Sequence, residues 1–217
     1  MRRNSDHSQL YIDSSNPKRC LSAKQTRTLV RKLVSGFNAH DLQKGDCVCV
    51  VSFNDVSSPY TLNQWLVVDF HQIHYTSLYL GIIGSGGCFT GGNPGYTAHE
   101  LAHHLRITEA KFILTSLKTL DIATIAAKEC GIPQSKIFVL GFHGELVPEG
   151  HQSWTKLLLC GEKDWVQVED PDNTPAAFVS TSGTSGLPKA AIIPHSYFRF
   201  QGEFQDRISS VRHKVLL

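Results

Sequence analysis

In VSTSGTSGLPKAAIIPH, residues 179–195, five hydroxyl side chains and two glycines crowd the first half, one lysine follows, and an apolar run closes it. AAFVST just upstream and AAIIP within it read as strands, so STSGTSGLPK is a loop between two strands. Gly183 and Gly186 allow positive φ and let the backbone come close to a ligand. Successive N–H groups in such a loop can form an anion-binding nest. The hydroxyls of Thr181, Ser182, Thr184 and Ser185 rotate to suit phosphate oxygens. Lys189 adds a point charge, and Pro188 stiffens its approach. Glycine and serine alone would read as a flexible hairpin turn; the full order S-T-S-G-T-S-G-x-P-K favours a phosphate clamp. It is not a Walker A loop, which needs four residues between its glycines and Lys-Ser/Thr directly after them. Here only Thr184 and Ser185 lie between the glycines, and Ala190 follows the lysine.

Upstream, the chain alternates between two hydrophobic periods. SAKQTRTLVRKLVSGF repeats Leu29, Leu33 and Phe37 at helical spacing, with Ser22 placed to cap the helix. DCVCVVSF follows as a buried strand. YTSLYLGIIGSGGCF is apolar all round and reads as a buried helix ending in glycines. KFILT is a strand, LDIATIAAKEC a helix stopped by Gly131, and KIFVL a strand; a polar segment then leads to AAFVST. Strands alternating with helices predict an α/β fold, a largely parallel sheet flanked by helices. One segment, 55–72, DVSSPYTLNQWLVVDFHQ, is neither polar enough for a plain loop nor periodic enough for a clear element.

Composition excludes several classes. Across 217 residues, 41% are hydrophobic, enough for a real core. Net charge is +2 and no Lys/Arg block forms, so no nucleic-acid footprint is expected. No apolar run reaches the roughly 18 residues of a membrane span, and MRRNSDHSQLYID lacks the apolar stretch of a secretory signal. The six cysteines contain no CxxC pair, which disfavours a zinc ribbon. Cys47 and Cys49 share one face if DCVCVVSF is a strand. Reduced, mostly buried thiols in an intracellular, cytoplasmic protein are expected.

The loop closely resembles the phosphate-binding signature of the AMP-forming adenylating enzymes, [ST]-[ST]-G-T-T-G-x-P-K-G. That family includes acyl-CoA and aryl-CoA synthetases, luciferases and nonribosomal adenylation domains. Ser185 stands for the second Thr and keeps its hydroxyl; Ala190 stands for the final Gly. Tyr79 to Thr115 resembles the family's N-P-x-Y-T-x-x-E-L segment with its flanking helix and strand. The opening of the chain resembles the family's first helix–strand unit. Coumarate–CoA ligase-like enzymes look nearest.

The resemblance implies ATP-dependent activation of a carboxylic acid. The acid attacks the α-phosphate, giving an acyl-adenylate and pyrophosphate, and coenzyme A then displaces AMP. Thr181, Ser182, Gly183, Thr184, Ser185 and Lys189 would hold the ATP phosphates, and His195 would lie near the acyl pocket. Mg2+ would accompany ATP, but the family's magnesium-binding glutamate, adenine motif, ribose-holding aspartate and C-terminal domain lie beyond the matched part. The match therefore covers an N-terminal portion of a typical member, and 55–72 reads as an insertion. A truncated form that is inactive alone is expected, with an apolar sheet edge or helix face left exposed or covered by a protein partner. Full-length relatives could be peroxisomal.

One other motif competes. His99–His103, HELAH, is a literal H-E-x-x-H, which on a helix could hold zinc with Glu100 as general base of a metalloprotease. Arg106 stands where metzincins need Gly, and Thr97 with Glu100 already makes a capping box. Glu109 and Glu129 are merely available as further ligands. A third class is a non-catalytic remnant that binds nucleotide weakly or not at all.

Overall fold

The computed structural model describes residues 9–12, 18, 20–52, 74–141, 145–181 and 189–201. The segment 55–72 lies outside them. Two short strands, β1 (Gln9–Ile12) and β2 (Cys20–Ser22), pair antiparallel and lead into α1 (Ala23–Ala39). Ser22 caps α1 as expected. Its hydroxyl accepts from the Gln25 N–H, and the Gln25 side chain accepts from the Ser22 N–H. This reciprocal pair satisfies two of the orphan donors at the helix start.

After α1 come β3 (Cys47–Val51), α2 (Tyr75–Gly84), β4 (Cys88–Gly92), α3 (Ala98–Ile107), β5 (Ala110–Ser116), α4 (Leu120–Glu129) and β6 (Ile137–Leu140). Then follow β7 (Gln152–Ser153), a 3-10 helix (Trp154–Leu159), β8 (Pro175–Thr181) and β9 (Lys189–Pro194). The described strands from β3 onward form one seven-stranded sheet in the order β7-β6-β5-β3-β4-β8-β9. Every pairing is parallel except β8 with β9. The α/β architecture with a largely parallel, helix-flanked sheet is therefore as the alternation of periods predicts.

Both faces of the sheet are covered, and the strand alternation assigns residues to them. Val48 and Val50 of β3 join Leu33 and Phe37 of α1, Leu78 and Ile82 of α2, and Trp154 and Leu157 of the 3-10 helix. Cys47, Cys49 and Val51 join Leu101 and Leu105 of α3 and Ala123, Ala126 and Ala127 of α4. Strands buried on both faces read as unbroken apolar runs, which is why CVCVV shows no alternation. Gly131, at φ +71°, ends α4 as expected. At the sheet's far edge the apolar skin thins: Ile192 of β9 is 62% exposed and Val179 of β8 is 51% exposed.

Candidate functional site

Because β3, β4, β5, β6 and β8 run parallel, their carboxyl ends lie along one edge of the sheet. In open α/β sheets that edge is where ligands bind. β8 reaches it at Thr181, and β9 leaves from it at Lys189. These two residues pair across the hairpin, both exposed, and the Thr181 hydroxyl donates to the Lys189 carbonyl at 3.4 Å. The connection between them, with Ser182, Gly183, Thr184 and Ser185, lies outside the described residues. Of the six residues expected to hold phosphate, the structure thus describes two, side by side at the carboxyl edge.

The Asn93-Pro94-Gly95-Tyr96-Thr97 segment sits at the same edge. It leaves the carboxyl end of β4 in a turn: the Gly95 N–H donates to Asn93 Oδ1 at 2.9 Å and the Tyr96 N–H to the Asn93 carbonyl at 3.0 Å. Thr97 then caps α3. Its N–H and hydroxyl both donate to Glu100 Oε2 at 2.8 Å, and the Glu100 N–H donates back to the Thr97 hydroxyl at 3.3 Å. These hydrogen bonds hold the Glu100 carboxyl below its ordinary range. The HELAH run is helical, as its spacing requires. His99 has its side chain 80% exposed and lies 3.6 Å from Glu129, which Arg106 also grips. Among the described residues, no group of three or more His, Cys, Asp or Glu could hold a metal ion.

A third histidine of α3, outside the H-E-x-x-H pair, reaches the hairpin's first strand. His104 is 1% exposed on the buried face of α3, beside Leu101 and Leu105. Its Nε2 lies 3.0 Å from Thr90 Oγ1 of β4, and its Nδ1 lies 3.1 Å from Ser180 Oγ of β8. The Tyr96 ring stands 6.2 Å away, centroid to centroid. Burial, with a smaller contribution from the charge of His103, pushes His104 down to about 4. The available signal was phase: His104 falls three residues after Leu101, on the apolar stripe, while His99 and His103 drew attention by their motif.

His195 is not brought together with the stem. β9 runs antiparallel to β8, so Pro194 pairs with Pro175 at the amino edge, about 17 Å along the strand from Lys189. The His195 N–H donates to the Thr174 carbonyl at 3.1 Å. Its ring lines a cavity of about 530 Å³ with Val30 of α1, Leu80 and Ile83 of α2, Trp165 and Val168. Burial lowers its pKa from the ordinary value.

Residues 66–215 match the family model described as "AMP-binding enzyme". Among curated proteins, the chain is 41% identical over 191 residues to a phenylacetyl-CoA ligase, epaB, of Aspergillus niger, covering 86% of this chain and 32% of that protein. It is 34% identical over 213 residues to a nicotinic acid-CoA ligase, olcI, of Penicillium canescens, covering 88% of this chain and 36% of the other. The chain thus spans about a third of the length of the curated relatives it matches. Among solved structures, the anthranilate CoA ligase AuaEII in complex with anthranoyl-AMP superposes with a TM-score of 0.70 at 16% identity, over 88% of this chain and 32% of that one. At such identity the superposition speaks for the fold.

Proposed function

From the premise that the chain belongs to the AMP-binding enzyme family, whose curated relatives include acyl-CoA ligases, we propose that its β8–β9 hairpin holds the phosphates of ATP for activation of a carboxylic acid. The observation that carries this reading is the stem. Thr181 and Lys189 stand exposed and paired at the carboxyl edge of a parallel sheet. Ser182, Gly183, Thr184 and Ser185, which join them in sequence, complete the proposed clamp.

In this reading the loop N–H groups and hydroxyls donate to phosphate oxygens while Lys189 supplies a fixed positive charge. The acid attacks the α-phosphate and pyrophosphate departs, with the clamp offsetting the charge that builds on it. Coenzyme A then takes the acyl group from the adenylate. The acid is aryl or acyl in kind; relatives named for phenylacetyl and nicotinic acid point toward aromatic rings. Thr181 and Lys189 supply a hydroxyl and an amine here, and a hard cation such as Mg2+ prefers carboxylate and phosphate oxygens. The ion would therefore arrive on ATP, and no step is assigned to it. These 217 residues alone are proposed to bind nucleotide without turnover.

Calorimetric titration with ATP tests the clamp. Binding that is lost in Lys189→Ala is expected. Absence of binding, or equal binding by that variant, would overturn it. A pyrophosphate-release assay over a panel of aryl and fatty acids tests turnover separately; acid-dependent release that disappears in Lys189→Ala would show these residues to be sufficient.

A further inference from the structure

β8 parts from its neighbour before it reaches the hairpin. Its register with β4 comprises Phe89↔Ala177 and Thr90↔Phe178 and stops there. β4 continues as Gly91 and Gly92, which offer no side chain to the end of β8. At that height one imidazole takes over. Thr90 Oγ1 donates to the Phe178 carbonyl at 3.1 Å and faces His104 Nε2 at 3.0 Å; Ser180 Oγ faces His104 Nδ1 at 3.1 Å.

Proton counting gives each contact a direction. A threonine hydroxyl has one proton, and Thr90 gives its own to Phe178. Toward His104, Thr90 can only accept, so Nε2 carries the imidazole proton. Nδ1 of the neutral ring is then an acceptor, and the Ser180 hydroxyl donates to it. The result is one directed chain: Ser180 to His104, His104 to Thr90, Thr90 to Phe178. It starts at the Ser180 side chain and ends at the Phe178 backbone carbonyl, two residues back along β8.

We propose that His104 is the positioning residue of the phosphate hairpin. Through Ser180 it fixes the end of β8 directly before Thr181, where pairing to β4 has ceased. This rests on the reading of the hairpin as the ATP clamp. A stem held in direction before a ligand arrives keeps Thr181 and Lys189 in place, and donors fixed in advance need no reorganisation.

Two substitutions separate positioning from mere filling of space. The carboxamide of asparagine occupies the place of Nδ1, and that of glutamine the place of Nε2. His104→Asn keeps an acceptor for Ser180 and gives up Thr90; His104→Gln does the reverse. With both variants compared at matched thermal stability, Asn is expected to retain ATP affinity, and Gln to lose about tenfold, the value of one well-placed hydrogen bond. Amide exchange at Val179–Thr181 and Lys189–Ala191 is expected to quicken in Gln and not in Asn, with or without nucleotide. The 15N spectrum of wild-type His104 at neutral pH is expected to show a protonated Nε2 and an acceptor Nδ1. Equal exchange in the two variants, or the opposite tautomer, overturns the proposal. If wild type fails to bind ATP while the exchange difference holds, the clamp reading falls and the anchoring of the hairpin stands.

Discussion

Thr181 and Lys189 face each other across the β8–β9 hairpin, tied by the Thr181 hydroxyl on the Lys189 carbonyl. The tie uses the lysine's backbone and leaves its exposed ammonium for a ligand. The proposed clamp would therefore receive phosphate from the solvent side of the sheet's carboxyl edge.

Removing that ammonium should separate binding from folding. Lys189→Ala deletes an exposed side chain, and such changes normally shift stability by less than about 0.5 kcal/mol. A charge-assisted contact to phosphate is worth more, so ATP affinity should fall at least tenfold, as a rough expectation. Calorimetry beside a thermal melt reads both; a large drop in the melting temperature would show that Lys189 supports the fold.

His104 also makes a prediction about acid. Its folded pKa, about 4, lies below the ordinary 6.5. Between those values the unfolded chain binds a proton that the folded chain refuses, so stability rises with pH across this window. The contribution is complete above pH 6.5 and drains away as pH falls toward 4. It amounts to about 3 kcal/mol. The groups packed against the ring are the hydroxyls of Thr90 and Ser180 and the Tyr96 ring, with His103 the neighbouring titratable side chain. His195 is depressed as well and adds loss in the same direction. Denaturant melts at pH 7 and pH 5 should therefore show a smaller acid loss in His104→Asn than in wild type. Equal losses would mean that the buried imidazole is not what acid attacks.

The fold was legible where a single physical signal ruled a segment. α1 announced itself by period and cap, and β3, β5 and β6 by short apolar runs between turn residues. β4, CFTGG, was harder: two glycines in five residues weaken the strand signal, and the preceding helix shares its apolar character. β7 and the Trp154–Leu159 helix hid in a polar segment because only Trp154 and Leu157 in that helix are buried. At the site, the phosphate reading of the loop was legible from residue order, since glycines, hydroxyls and one lysine in a row suit an anion. The anchoring of that loop was not, because His104, Thr90 and Ser180 are 14 and 76 residues apart and meet only through the sheet.

Three of the six cysteines, Cys47, Cys49 and Cys88, should be silent toward alkylation. Cys47 of β3 stands in register with Cys88 of β4. The hydrogen bond that the Cys47 thiol gives to Cys88, then burial, push the Cys47 thiol far up, and burial pushes Cys49 up to about 12. The thiolate is the nucleophile, and Cys47, Cys49 and Cys88 are all at least 98% buried from solvent, at 2%, 0% and 1% exposure. Iodoacetamide at pH 8 should leave these three unmodified in native protein and reach them in urea, as peptide mass spectrometry would report. Fast native labelling of Cys49 would contradict the burial of β3 between two helical layers.

Gly36 offers a test of the packing itself, because two effects there oppose each other. Within a helix, replacing glycine by alanine ordinarily stabilises by about 1 kcal/mol, through reduced backbone freedom in the unfolded chain. At Gly36 of α1, however, an added Cβ would stand 2.1 Å from the Leu157 carbonyl oxygen and 2.7 Å from its Cα. These are backbone atoms of the 3-10 helix, so no side-chain rotation relieves the clash. α1 or the 3-10 helix must shift, disturbing Phe37, Trp154 and Leu157 in the same core. Overpacking of this kind costs about 1–3 kcal/mol or more, which outweighs the helical gain. Gly36→Ala should therefore lower the melting temperature by several degrees, at about 2–4 °C per kcal/mol for a chain of this size. A rise instead would mean that α1 does not lie against the Leu157 backbone, and the face of the sheet holding Val48 and Val50 would need another cover.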